Sequence, residues 1–161
     1  MIKLVIKVGL LLTFGFVAIL FVDAALHARA RILATETSQN DARLAMDYIK
    51  HILRTNDVVG RVAIEDDAIL IRHRTAAYEL DRWIYFRDGM LVEVLGEPDT
   101  RPGSDGENYE VIAKLHDFRV AFDGERMAFI VHIYYDCGDM IHVLTRTIGM
   151  RSDIGDGIII L

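Results

Sequence analysis

The side chains with the most chemical potential crowd one stretch, HIYYDCGDMIH, from His132 to His142. Its two imidazoles, the carboxylates of Asp136 and Asp139 and the thiol of Cys137 are donor types that hold zinc and related metals. Strand alternation puts His132, Tyr134 and Asp136 on one face, whereas the side taken by His142 depends on the register across the turn. Without that register the residues read as a solvated hairpin, and no metal ligand is assigned. A second acidic group, Asp99, Asp105, Glu107 and Asn108, offers hard oxygens suited to calcium but lacks the spacing of a calcium loop. It reads as solvated loop, and no cofactor is expected. Trp83, Tyr85 and Phe86 form either a flat platform for a ligand or one face of a core. His51 and His73 have no evident partner and receive no role. There is no GxSxG, no Walker loop, no HExxH and no CxxC, so no catalytic residue is assigned and the chain is not expected to be an enzyme.

Composition narrows the partners. The 161 residues suffice for one modest domain and an anchor. Eighteen Lys and Arg against 24 Asp and Glu leave a net charge of −6, which argues against nucleic acid as the main partner. Apolar residues at 52% and charged ones at 26% exclude disorder. The one cysteine, Cys137, excludes an internal disulfide framework.

The element that must position everything else is N-terminal. Val8 to Val22, VGLLLTFGFVAILFV, carries no charge, and Leu4 to Ile6 extend it backward past Lys7. The run approaches the roughly 20 residues that cross a bilayer. Residues 4–25 are therefore expected to contact the membrane. Lys3 and Lys7 place the N-terminus in the cytoplasm and the rest outside the cytoplasmic membrane. A cleaved signal peptide is the competing reading, with Ala28-Arg29-Ala30 as a small-x-small site. The residues after Asp23 stay helix-friendly, which favours an anchor.

Beyond the anchor, Leu26, Leu33, Ala42, Ala45, Ile49, Ile52 and Leu53 recur at helical spacing, widened by Met46 and Tyr48. One helix from Leu4 to Arg54 would be about 75 Å long. Thr35 to Asn40 is its candidate break, and Asn56 and Gly60 are its stop signals.

After Val58 the period changes to two. Expected strands are Val62–Ile64, Ala68–Arg72, Arg82–Arg87, Met90–Leu95, Phe118–Phe122, Met127–Tyr135 and Met140–Ile148, with hairpin turns at Asp88-Gly89 and Asp123-Gly124. Gly96 to Tyr109, which holds both prolines, should be an exposed loop, and the apolar end Ile154 to Leu161 either adds an edge strand, docks on a neighbour or stays exposed. The expected fold is α+β: residues 1–25 as the membrane half of a long helix, 26–56 as its amphipathic half, and 57–161 as an antiparallel β head on which that half packs.

This order of parts, with QNDARLAMDYIKHILR in the helix and LTRTIGMRS closing the last strand, resembles the minor pseudopilins and pilin-like proteins of type II secretion, type IV pili and competence systems. Gln39, Ala42, Arg43, Leu44 and Ala45 are similar to the family's Q-x-x-A-R stretch. The resemblance implies a pilin-like fold and a non-enzymatic subunit that assembles with other pilin-like subunits and an assembly platform. It does not extend to the prepilin cleavage motif. Gly15-Phe16 puts Leu20, and Gly9-Leu10 puts Phe14, where the family has glutamate, and alignment on QNDARLA sets the mature N-terminus near Met1. The alternative is a single-pass extracytoplasmic binding domain unrelated to pilins.

Overall fold

The computed structural model describes residues 2–58, 60–75, 78–98 and 109–150, with the side chains of residues 2–6 and 8 left aside. One helix, α1, runs without a break from Ile2 to Thr55. Its 54 residues make it about 80 Å long at 1.5 Å per residue. The candidate break is crossed because Thr37 turns its hydroxyl back onto the Leu33 carbonyl at 2.9 Å, which keeps it from capping a new helix. Asn56 ends the helix as expected. Its backbone N–H and its side-chain amide both donate to the Ile52 carbonyl, at 3.0 and 2.9 Å.

Eight strands follow: β1 (Val62–Glu65), β2 (Ala68–Arg74), β3 (Glu79–Arg87), β4 (Met90–Gly96), β5 (Glu110–Lys114), β6 (Asp117–Asp123), β7 (Ala128–Cys137) and β8 (Met140–Gly149). All pair antiparallel, so the α+β class stands. They form two sheets where one was expected, in the orders β1-β2-β3-β4-β5 and β6-β7-β8. The split occurs at Leu115 and His116. Leu115 N–H still bonds to Gly89 beside β4, whereas His116 N–H already bonds to Tyr134 on β7. β5 itself carries no alternation signal strong enough to be foreseen: Val111, Ile112 and Ala113 are consecutive apolar residues with a bulge opposite Leu91/Val92.

The tight turns follow from residues that tolerate positive φ. Asp88 and Gly89 sit at 50° and 78°, the two left-handed positions of a type I′ hairpin. Asp66 and Asp67, at 46° and 59°, make the same turn without glycine. The β6–β7 connection differs from the expected two-residue turn. Four residues lie between Asp123 and its partner Ala128; the Asp123 carboxylate accepts from the N–H groups of Glu125 and Arg126, and Met127 takes the left-handed position.

The main core lies where the helix meets both sheets. Ala42, Ala45, Met46, Ile49, Ile52 and Leu53 of α1 pack with Ile69, Ile71, Ile84 and Leu91 of the larger sheet and with Phe118, Val120, Phe129, Val131, Ile133 and Ile148 of the smaller. Each fully buried Ile, Leu or Met there contributes about 1.5–3 kcal/mol. A second cluster, Ala63, Ala68, Leu70 and Trp83, occupies the opposite face of the larger sheet.

Candidate functional site: the helix and the surfaces beside it

The feature that sets this molecule apart is a helix half in and half out of its own core. From Leu10 to Val22 the large side chains are between 54% and 78% exposed, on every side of the helix. Water does not tolerate such a surface at this length, whereas hydrocarbon does. It is the one helix among the described residues long and apolar enough to cross a membrane. Its one hydroxyl, on Thr13, donates to the carbonyls of Gly9 and Leu10 at 3.1 and 2.9 Å, so no polar group is left unsatisfied for lipid to face. The apolar stretch closes at Asp23, whose carboxylate lies 3.5 Å from the His27 ring.

Between Asp23 and Asp41 the helix is neither uniformly apolar nor packed. Leu26, Ile32 and Leu33 remain exposed, which corrects the expectation that the packed stripe begins at Leu26. Burial starts at Ala42. Where the helix enters the head, Ala34, Thr37, Ser38 and Asp41 line an open notch of about 460 Å³ with Gly89, Lys114, Leu115 and Asp136.

Deeper in, a polar group interrupts the apolar contact of helix and sheet. Glu93 of β4 is 9% exposed and accepts a hydrogen bond from the Tyr48 hydroxyl of α1. Arg82 Nε lies 3.2 Å from the other oxygen of Glu93, and Glu110 of β5 is its partner in register. Burial first, and the facing Glu110 second, push the Glu93 carboxyl above its ordinary value; the arginine does not offset them. Nearby, burial together with the cations Arg82 and Arg61 lowers the pKa of His73, against a smaller opposing effect from Asp81. Sequence reasoning missed the Glu93 group. An acidic residue flanked by valines in MLVEVL was its one available signal.

The residues singled out as chemically capable are dispersed by the fold. Tyr135 pairs with His142 and His132 with Thr145, so His142 faces the side opposite to His132. His132 Nδ1 lies 2.9 Å from the Thr145 hydroxyl, His142 stacks on Tyr135 at 5.9 Å, and Asp136 pairs with His116 at 3.1 Å. Among the described residues no three His, Cys, Asp or Glu side chains gather as a metal-holding group. Gly138 takes the positive φ of the turn at 66°, and Cys137 is a half-buried free thiol. Asp99, Asp105, Glu107 and Asn108 lie outside the described residues, as does the apolar end 154–161. The aromatic trio is also divided: Trp83 and Tyr85 belong to the second cluster, and Phe86 packs against the main core on the other face. His51 is exposed.

What the arrangement offers is physical rather than chemical: an apolar helix suited to lipid, a bare stretch of helix beyond it, and a head of two antiparallel sheets. Comparison with family models, with curated proteins and with solved structures returned no match in any of the three.

Proposed function

We propose that this chain is a membrane-anchored, pilin-like structural subunit that assembles with other such subunits into an envelope filament of the type II secretion, type IV pilus or competence kind. The observation that carries the reading is the single unbroken helix, exposed over its apolar half and buried in the head only from Ala42 onward. A protein that needs only a tether has no use for rigidity between membrane and head; an unbroken helix fixes the distance and the rotation of the head relative to the lipid. The apolar half stores the subunit in the cytoplasmic membrane, N-terminus inside. The bare stretch with Leu26, Ile32 and Leu33 then finds its cover on neighbouring subunits. The head supplies the surfaces that select them.

The test is the mass and N-terminus of the protein extracted from its native membrane, together with the proteins that leave the membrane with it. A processed, methylated N-terminus and co-purifying pilin-like subunits support the proposal. A monomer whose head binds a small ligand unaided sinks it in favour of an anchored binding domain.

A further inference from the structure

Among the described residues β8 and β5 are outermost strands of their sheets, and they run in opposite directions along the same axis. β8 is ten residues long, MIHVLTRTIG, and contains no proline, lysine or acidic residue, the usual guards of an open edge. Met140, Ile141 and Val143 are 66%, 53% and 53% exposed. Cys137 and Met140 flank the two-residue turn and so form the first hydrogen-bonded pair of the hairpin. Met140, His142, Leu144 and Arg146 therefore direct their backbone groups to β7, and Ile141, Val143, Thr145 and Thr147 direct theirs outward. The other edges are less open: β6 lies against β1, β2 and β3, and β1 has four residues and leads into the acidic turn Asp66-Asp67.

The direction of each strand can be read against the helix. Asp136, which pairs with Ile141, lines the notch beside Thr37, Ser38 and Asp41, while Arg146 reaches Asp47 at 3.0 Å. β8 thus runs the same way as α1, away from the apolar half. β5 runs the other way. Its Lys114 lines that same notch, and its Glu110 pairs with Glu93 under Tyr48, ten residues further along the helix from Ser38.

We propose that β8 of one copy pairs with β5 of a second copy standing beside it in the same membrane. Two helices rooted in one bilayer point the same way, so a β8 meeting another β8 would be parallel, whereas a β8 meeting a β5 is antiparallel, the more stable ladder. The charges agree with this. β5 carries Glu110 and Lys114, and at matching heights Glu110 comes level with Arg146 while Lys114 falls beside His142 and Val143, where β8 carries no Lys or Arg. Both outer faces then lie on one side: Val111 next to Thr145, each turned away from its own core. The inference rests on the reading of the chain as an assembling subunit and names one contact of that assembly.

The experiment uses the full chain in membranes with Cys137→Ser as background. Val111→Cys and Thr145→Cys are made in separate copies and co-expressed under mild oxidation. The expected result is a disulfide-linked dimer that forms from the mixture and from neither single variant. Adding Val143→Pro, whose lost N–H faces the open edge, should lower that product about tenfold, because the ring blocks the ladder. In detergent the same variant should melt within about 3 °C of its parent. A dimer from Thr145→Cys alone overturns the proposal in favour of β8 meeting β8. An oligomer on native gels without the mixed cross-link overturns the strand pairing and leaves assembly standing. A monomer throughout overturns both.

Discussion

The two ends of α1 obey the same local rules but meet different surroundings. From Leu10 to Val22 the side chains are apolar all round and none is buried by the protein; from Ala42 to Leu53 apolar side chains recur every three or four residues and are covered by two sheets. An unbroken backbone ladder joins them. The contrast teaches that this helix is held by what surrounds it rather than by propensity: a stripe is enough where a sheet provides the cover, but lipid, which covers from every side, requires the whole circumference.

The comparison breaks most sharply if the two halves answer a truncation alike. Ile49→Ala, at 0% exposure, should cost about 2–5 kcal/mol and lower the melting temperature of the detergent-solubilised chain by many degrees. Ile19→Ala, at 68% exposure, should leave that melting point unchanged. Equal losses would mean that the apolar half packs on the head.

The reverse experiment places a charge in the other solvent. Leu12→Asp should cost about 3 kcal/mol at the centre of a bilayer and shift the protein out of the membrane fraction. Leu44→Asp, at 53% exposure on the head side, should leave membrane retention intact. Full retention of the Leu12 variant would sink the membrane reading of the apolar half.

The Glu93 group sharpens the contrast in a third way, since it is a titratable group inside the packed half. Its carboxyl is held above the ordinary 4.5, so the folded state binds its proton more tightly than the unfolded chain. That contribution to stability is complete below the unfolded value and is lost as pH rises through the folded one. Glu93→Gln cannot lose it, so the melting point of the variant minus that of the native chain should be more positive at pH 7.5 than at pH 4.5. His73, lowered from 6.5, has the opposite sign: its contribution is present above 6.5 and is lost as pH falls through its folded value. It is common to both proteins and cancels in the difference. A pH-independent difference would remove Glu93 from the account.

The smallest effect belongs to Asp47→Ala. Its ion pair with Arg146 joins β8 to the helix at 3.0 Å, with Asp47 73% and Arg146 41% exposed. Such a pair is worth about 0–1 kcal/mol, so the melting point should move by no more than a few degrees, less still in high salt.

The particular residues show how far the sequence could be read. The stripe from Ala42 to Leu53 and the stop at Asn56 were legible because helical periodicity and capping are written within a few residues of each other. The hairpin at Asp88-Gly89 was legible for the same reason: positive φ is a property of the residue and its neighbour. Seven of the eight strands were legible from alternation or from apolar runs bounded by turn residues, whereas in β5 the run Val111-Ile112-Ala113 breaks alternation at a bulge opposite Leu91/Val92. Leu26 and Leu33 fitted the stripe perfectly well and stayed outside the core, because spacing gives the face of a helix but not whether anything lies against it.

From the sequence alone came an apolar N-terminal stretch long enough to cross a membrane, one long helix, an antiparallel head after it and an α+β class, all set by composition and period over short stretches. Only the tertiary structure decided that the strands divide into two sheets at Leu115-His116, that His142 turns away from His132, and that Glu93 is buried under Tyr48 with Arg82 beside it. Those outcomes depend on register and on pairings between residues tens of positions apart, where a shift of one residue reverses a face and local sequence carries no record of the choice.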